Sequence, residues 1–153
     1  MEPEGEMKGE ILFSSKSEMW ETPQDLFDRL NRIYHFQIDV CAIPENAKCK
    51  VYFTPEQDGL KSEWGGYRCW CNPPYGRKVI EWVRKADESE NTLTVMLLPA
   101  RTDTKWFHDY IYGKRPFVLL RGRLKFTNTI TRVQNSATFP SMLVVFDNRR
   151  RAK

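Results

Sequence analysis

Residues 67–76 read Tyr-Arg-Cys-Trp-Cys-Asn-Pro-Pro-Tyr-Gly, and they predict a short buried strand followed by a rigid turn. A residue that precedes proline is pushed into extended geometry, which applies to both Asn72 and Pro73. The rings of Pro73 and Pro74 also hold φ at about −65°. The chain therefore leaves the strand as a stiff polar edge that presents a side-chain amide, a backbone carbonyl and the ring of Tyr75.

This edge suits the chemistry of an amine attached to a planar ring. The lone pair of such an amine is delocalised into the ring, which makes the amine a poor nucleophile. Two acceptors on its two N–H bonds would favour tetrahedral geometry, and the Asn72 side-chain oxygen and the Pro73 carbonyl could be those acceptors. Tyr75 could stack on the ring and hold it. If the electrophile is a methyl sulfonium, catalysis would consist mostly of positioning the two reactants. An ordinary strand-ending turn with a packed tyrosine is the alternative interpretation.

The Asn-Pro-Pro-Tyr tetrapeptide resembles motif IV of the S-adenosylmethionine-dependent amino-methyltransferases. With five further blocks, in order from about Met19 to Phe146, the chain resembles the DNA N6-adenine methyltransferases of the Dam type found in phages and prophages. These blocks are Trp20-Glu-Thr-Pro, Asp39-Val-Cys-Ala-Ile-Pro-Glu-Asn-Ala-Lys-Cys, Tyr52-Phe-Thr-Pro-Glu-Gln-Asp-Gly-Leu, Leu98-Pro-Ala-Arg-Thr-Asp-Thr-Lys-Trp-Phe-His and Arg121-Gly-Arg-Leu-Lys-Phe.

The resemblance implies methyl transfer from S-adenosylmethionine to N6 of an adenine in double-stranded DNA. The four catalytic positions that it implies are Asn72, Pro73, Pro74 and Tyr75. A base stacked in a duplex cannot reach the turn, so we expect the adenine to be flipped out. Two other functions stay open: methylation of another planar amine, such as an RNA base or a glutamine amide, and non-catalytic DNA binding. The intact tetrapeptide argues against the second.

The chain has 153 residues, enough for one domain with a sizeable core. We expect a flexible lead over residues 1–17, a methyltransferase domain over 18–148 and a basic tail over 149–153. No apolar run approaches the about 20 residues that a membrane span needs, and the first residues lack a signal-peptide core. The sequence therefore predicts a cytoplasmic protein, in the host cell if a phage encodes it, and leaves the oligomeric state open.

The formal net charge is +4, a mild excess of basic residues. The basic tail could touch DNA phosphates, a contribution that falls with salt, or it could be a solvated end. The four cysteines are spaced C-x₇-C and C-x-C, which is a poor match to the paired spacings of zinc sites. We therefore predict reduced thiols and no metal.

Thr22 and Pro23 predict the start of a helix, with Thr22 as its N-cap and Pro23 at the first helical position. The apolar residues that follow at helical spacing are Leu26, Phe27, Leu30, Ile33 and Tyr34. The Thr-Pro pair also resembles motif X of the methyltransferases. That resemblance implies that both residues help to hold the methionine end of the cofactor.

A first strand is expected over residues 36–42, with Asp39 near its carboxyl end. Ligands of open α/β sheets bind beyond the carboxyl ends of the strands, so Asp39, Cys41 and Ala42 lie where the cofactor is expected. Many methyltransferases have a glycine-rich loop here, whereas this chain continues Ala-Ile-Pro-Glu-Asn-Ala from Ala42. A cap on the following segment is the alternative role for Asp39.

Only some thirty residues separate Asp39 from Asn72. Two further strand–helix units cannot fit there, because each parallel crossover needs about a dozen residues or more. We therefore predict an α/β fold with a reduced Rossmann-like sheet and a loop-rich segment over residues 43–66, which has room for one short strand around residues 51–53. Tyr52 or Phe53 could stack on the cofactor's adenine. Asp58 matches the family's adenine-binding acidic position, although Asp-Gly is also an ordinary turn.

The second half of the chain predicts a helix over residues 79–89 and a fully buried strand over 92–98. Strands over residues 117–121 and 141–146 are expected to form a C-terminal antiparallel pair. Residues 127–140 read as a long polar loop, which in a small domain is usually functional or mobile. The predicted DNA contacts are Arg101, Thr102 and Asp103 after the buried strand, and Arg123, Lys125, Asn135 and Ser136 around the loop.

Overall fold

A computed structural model describes residues 20–149, which form two β-sheets and two α-helices. The larger sheet contains, in spatial order, β3 (Val51–Tyr52), β2 (Ile38–Asp39), β4 (Arg68–Cys71), β5 (Leu93–Pro99), β9 (Ser141–Asp147) and β6 (Phe117–Leu119). The smaller sheet contains β1 (Trp20–Glu21), β7 (Lys125–Asn128) and β8 (Gln134–Ser136). The helices are α1 (Gln24–Tyr34) and α2 (Val79–Glu88), with a 3₁₀ turn at Gly59–Lys61 and a π-helix at Phe107–Ile111.

The larger sheet confirms the predicted reduced Rossmann-like architecture. Strands β3, β2, β4 and β5 are parallel, while β9 lies antiparallel between β5 and β6. The last pair is the predicted C-terminal antiparallel pair. Between β2 and β4 the chain forms only the short strand β3 and the 3₁₀ turn, as the limited chain length requires. The carboxyl ends of the parallel strands meet at one edge of the sheet.

Apolar residues cover both faces of this sheet. Because side chains alternate along a strand, Cys69 and Cys71 face one cluster and Trp70 faces the other. The first cluster packs the sheet against α2, whose Trp82 and Val83 are buried. The second packs the opposite face against α1. A sheet buried on both sides explains why every residue of β5 is buried.

The predicted N-cap of α1 is wrong by one residue. Pro23 occupies the cap position, with ψ at 129°, and its carbonyl accepts the Phe27 N–H at 3.2 Å. The Thr22 side chain makes no capping bond because it lies one residue too early. Thr22 is instead buried, and its hydroxyl has no hydrogen-bond partner among residues 20–149.

The predicted loop over residues 127–140 is also wrong, because much of it belongs to the hairpin β7–β8. The Asn128 side-chain oxygen accepts the N–H groups of Ile130 and Thr131, each at 3.0 Å, and closes the turn. Arg132 adopts the left-handed conformation with φ at 60°. The strand β1, over a hundred residues earlier, then pairs with β7 and completes the smaller sheet.

Neither helix within residues 20–149 combines the length and the apolar character that crossing a bilayer requires. The expected flexible lead over residues 1–17 and most of the expected basic tail, residues 150–153, lie outside the described residues.

Candidate active site

The Asn-Pro-Pro-Tyr turn leaves β4 at the edge where the parallel strands end. Strand β4 is central, with β2 on one side and β5 on the other. Asp39, the last residue of β2, pairs in register with Trp70, two residues before Asn72. The turn and the Asp39 carboxylate therefore share one edge, as the sequence predicted.

Two hydrogen bonds hold the Asn72 amide in one orientation. Its Nδ2 donates to the Trp20 carbonyl at 3.2 Å, and its Oδ1 lies 3.0 Å from the Tyr75 hydroxyl. That hydroxyl also lies 3.1 Å from the Leu97 carbonyl, so its single proton is shared between two acceptors. A side-chain amide oxygen has two lone pairs, and one of them is left for a further donor.

The Tyr75 side chain is packed rather than free. Its ring meets Phe139 edge to face, with 5.4 Å between the ring centres. Burial raises the pKa of the Tyr75 hydroxyl well above its ordinary range, so the group stays protonated. The packing alternative considered for this tyrosine is therefore realised, while its ring still borders open space on two sides.

Two cavities meet at the turn. The sheet cavity, of about 620 Å³, lies over the ends of β2 and β4. The hairpin cavity, of about 540 Å³, lies between the turn and the hairpin β7–β8. Trp20, Asn72 and Tyr75 line both. A group in either cavity can therefore approach Asn72 from its own side.

Four of the predicted cofactor residues line the sheet cavity, namely Thr22, Asp39, Cys41 and Ala42. The lining leaves out Pro23, Phe53 and Asp58. Asp58 has φ at 57°, and its carboxylate accepts the Leu60 N–H at 3.0 Å. The turn role that was the alternative for Asp58 is therefore present.

Asp39 holds the loop that follows β2. The residue is 3% exposed, and its two carboxylate oxygens accept the backbone N–H groups of Cys41 at 3.2 Å and Lys48 at 3.0 Å. Burial outweighs these bonds and raises the pKa of Asp39 to about 7. Through its two hydrogen bonds, this one carboxylate holds both ends of the loop that borders the sheet cavity.

The sheet cavity also contains charged residues that the sequence did not single out. Glu21 lies in the lining and is ion-paired with Arg132 of the hairpin. Lys48 lies there too, and its Nζ donates to Gln24 Oε1 at 2.7 Å. Burial lowers the pKa of Lys48. Both residues belong to the blocks that carry the family resemblance, but spacing alone does not tell which residues of a block point inward.

The hairpin cavity has aromatic walls and a polar edge. Its aromatic rings are Trp20, Tyr75, Phe126 and Phe139, and its polar residues include Asn72, Asn135 and Ser136. Sequence reasoning missed Phe126 and Phe139, because residues 127–140 were taken for a loop. The available signal in the sequence was the position of these two aromatic residues near the two ends of that polar segment.

The other predicted DNA contacts are exposed. Arg101, Thr102 and Asp103 follow β5 at the same edge of the sheet, and the Arg101 guanidinium lies 5.8 Å from the centre of the Phe139 ring. This contact places Arg101 beside the hairpin cavity. Arg123 precedes β7 and Lys125 is its first residue, and both are exposed. His108, in the π-helix, is exposed, with Nε2 at 2.8 Å from the Thr102 carbonyl.

The cysteines are free thiols. Cys69 and Cys71 are buried, and burial raises the pKa of Cys69 to about 12. Within residues 20–149, no group of three or more His, Cys, Asp or Glu side chains is arranged to hold a metal ion.

Comparison with known proteins identifies the family. Residues 10–153 match the model of the DNA N-6-adenine-methyltransferase (Dam) family. The DNA N-6-adenine-methyltransferase of Haemophilus phage HP1 (strain HP1c1) is 33% identical over 139 residues, which cover 87% of this chain and 80% of that protein. The enzyme of the same name from Escherichia phage T1 is 37% identical over 104 residues, covering 65% of this chain and 43% of that protein. A putative methyltransferase, YfdM, of Escherichia coli (strain K12) is 31% identical over 65 residues, covering 38% of this chain and 71% of that protein. The chain belongs to the DNA N-6-adenine-methyltransferase (Dam) family.

Proposed function

We propose that this protein transfers a methyl group from S-adenosylmethionine to N6 of a flipped-out adenine in double-stranded DNA. The observation that carries the proposal is the meeting of two cavities at Asn72. A two-substrate transfer needs two sites that open onto one reacting position. Family membership supports the reaction, and the two phage relatives are named for it.

The sheet cavity is the proposed cofactor site. Thr22 has a buried hydroxyl without a partner among the described residues, and this orphaned group suits a polar ligand. Glu21 and Lys48 supply opposite charges that complement the ammonium and carboxylate of an amino acid. When bound, S-adenosylmethionine supplies a methyl group on a positively charged sulfur.

The hairpin cavity is the proposed site of the adenine. Its four aromatic rings suit a planar heterocycle, and its volume is in the range of small-molecule sites. An adenine reaches such a site only after it leaves the base stack, which costs a few kcal/mol. The exposed residues Arg101, Arg123 and Lys125 are proposed to contact phosphates, a contribution that falls as salt rises.

Asn72 and Pro73 would act on the amine. The Asn72 oxygen accepts one N–H and the Pro73 carbonyl accepts the other, which draws the nitrogen toward tetrahedral geometry. The bonds from Asn72 to Trp20 and Tyr75 keep that oxygen in place before the base arrives. Preorganised acceptors of this kind need no rearrangement during the reaction. No side chain has to remove a proton before transfer, because the sulfonium is already a good electrophile.

The test is methyl transfer from labelled S-adenosylmethionine to unmethylated duplex DNA, followed by separation of the nucleosides. We expect label in N6-methyladenine, and loss of that label in Asn72→Ala. Gln134→Ala is the matched control, because it removes an exposed amide from the strand β8 without touching the turn. Label in a different base, or in RNA or a glutamine side chain when these are offered in place of DNA, would move the substrate to another planar amine. DNA binding without cofactor binding would contradict catalysis altogether.

A further inference from the structure

The middle residue of β8 faces the hairpin cavity. Asn135 lies directly opposite Phe126 in the antiparallel pair β7–β8. Residues opposite each other in such a pair project from the same face of the sheet. Phe126 is buried, and both residues line the hairpin cavity. Gln134 alternates with Asn135 along the strand, so its side chain belongs to the opposite face.

The side-chain amide of Asn135 is available for a ligand. Within residues 20–149 it has no hydrogen-bond partner, and the residue is exposed. The amides that hold structure are used differently: Asn72 and Asn128 are both bonded to backbone atoms. Asn135 therefore contributes an unused donor and an unused acceptor to a cavity whose other walls are mainly aromatic.

Asn135 and Asn72 are held by the same small sheet. The Trp20 carbonyl fixes Asn72, and β1, which contains Trp20, pairs with β7. Strand β7 in turn pairs with β8 and so places Asn135. Asn72 is thus hydrogen-bonded to the sheet that contains Asn135, and both residues line the hairpin cavity.

We propose that Asn135 determines base specificity by donating its amide N–H to a ring nitrogen of the target adenine. This inference rests on the proposed function. The nitrogen is one of the two, N1 or N7, that lie beside the amine. Asn72 and Pro73 would already accept both N–H bonds of the amine, so a residue that reads the adjoining ring edge must be a donor. A side-chain amide has that capacity, and asparagine pairs with adenine in other contexts.

The arrangement distinguishes adenine from guanine and thymine through the amine, and from cytosine when the contacted nitrogen is N7. Guanine and thymine present a carbonyl oxygen where adenine has its amine, so the Asn72 oxygen and the Pro73 carbonyl would face another acceptor. Cytosine has an amine beside a ring acceptor, its N3, which is equivalent to adenine N1. It lacks the second ring that carries N7, so a contact to N7 separates adenine from cytosine and a contact to N1 does not. Asn135 therefore adds a contact that a base without the matching ring nitrogen leaves unpaired, which costs affinity.

The test combines a protein variant with a base analogue. The methylated adenine of a duplex is first located with the wild-type protein, and 1-deaza-adenine or 7-deaza-adenine is then placed at that position. For the wild type, we expect one of the two analogues to lower kcat/KM about tenfold to hundredfold. Asn135→Ala should lower kcat/KM for adenine by a similar factor and should not distinguish adenine from that analogue.

Each outcome bears on a separate claim. If Asn135→Ala abolishes the wild-type preference in kcat/KM for adenine over one of the two analogues, the inference is supported. A uniform loss in Asn135→Ala, with the same preference for adenine over both analogues as the wild type, overturns it and leaves the methyltransferase function intact. No N6-methyladenine from the wild-type protein overturns the proposed function itself. Gln134→Ala is the control, since it should keep the wild-type preference. Circular dichroism verifies that both variants are folded.

Discussion

The side-chain nitrogen of Asn72 donates to the backbone carbonyl of Trp20 at 3.2 Å. This bond joins the turn after β4 to the first strand of the small sheet, across 52 residues of chain. It also decides which atom of the amide faces the Tyr75 hydroxyl, since only a nitrogen can donate to a carbonyl. The proposed acceptor for the adenine amine is therefore oriented by a segment far away in the sequence.

Replacement of Asn72 by Asp keeps the proposed acceptor oxygen but removes the hydrogen bond to Trp20 that orients it. Asn72→Asp keeps an oxygen for the amine but sets a carboxylate against the Trp20 carbonyl, so the side chain should rotate away. We expect single-turnover methylation to fall about 10- to 100-fold, in line with the cost of a small misplacement. Cofactor affinity, measured by calorimetry, should change much less. A rate equal to that of the wild type would show that the bond to Trp20 does not matter for transfer.

Removal of the Tyr75 hydroxyl should lower stability and should also release one of the two bonds that hold the Asn72 amide. Tyr75→Phe loses the contacts with the Leu97 carbonyl and Asn72 Oδ1 but keeps the ring between the two cavities. The free energy of unfolding should fall by about 1 kcal/mol, the usual net value of a hydrogen bond. Urea unfolding measures this change. Tyr75→Ala should in addition abolish most methylation, and equal activity of the two variants would contradict a role for the ring.

Asp39 should make stability depend on pH. Its pKa in the folded protein is about 7, above the ordinary value of about 3.9, so between these values the folded state holds a proton that the unfolded state releases. The stabilisation is complete below about pH 4 and is lost as the pH rises to about 7, at up to roughly 1.4 kcal/mol per unit. Urea unfolding at pH 5, 6, 7 and 8 should show this slope.

Asp39→Asn should flatten that part of the pH profile, because the substituted side chain does not titrate. The same variant should be less stable at every pH, since an amide cannot accept both the Cys41 and the Lys48 N–H groups. Asp25→Asn, in the exposed first turn of α1, should keep the wild-type slope. If Asp39→Asn had the same slope as the wild type, the carboxylate would not be the group responsible.

Gly59 should tolerate no side chain. A Cβ at this position would lie 2.1 Å from the Val40 carbonyl oxygen and 2.9 Å from the Trp82 ring. Gly59→Ala must therefore displace backbone next to the sheet cavity, and we expect a loss of about 3 kcal/mol or more in the free energy of unfolding. Gly65→Ala is the matched control, because its nearest neighbour would be 3.3 Å away. In thermal unfolding, Gly59→Ala should have a clearly lower melting temperature than Gly65→Ala. Equal melting temperatures would contradict the predicted clash.

Local patterns were enough to predict several elements. The proline rings predicted the turn at residues 72–75, and the helix expected over residues 79–89 is observed at Val79–Glu88. The buried strand expected over 92–98 is observed at Leu93–Pro99, one residue later at each end. The reduced sheet followed from chain length, because a parallel crossover requires a minimum number of residues. Each of these inferences depends only on neighbouring residues or on the number of residues between two motifs.

The two errors have different causes, one local and one in a distant part of the fold. Thr22 has the right chemistry for an N-cap, but the backbone of Pro23 places the helix start one residue later. The hairpin β7–β8 has no glycine in its turn, and the Asn128 side chain closes it instead. A polar segment of this kind reads as a loop until the strand that pairs with it is known.

The sequence by itself determined the rigid turn, the helices, the reduced parallel sheet and the family, because ring-restricted dihedral angles, apolar periodicity and ordered motifs are local properties of the chain. Only the tertiary structure decided that β1 pairs with β7, that the Trp20 carbonyl orients Asn72, and that the hairpin forms a second cavity with Asn135 on its wall. These features depend on contacts between segments from 52 to over a hundred residues apart. Which distant segments meet depends on the packing of the whole domain, and no local pattern in this chain records it.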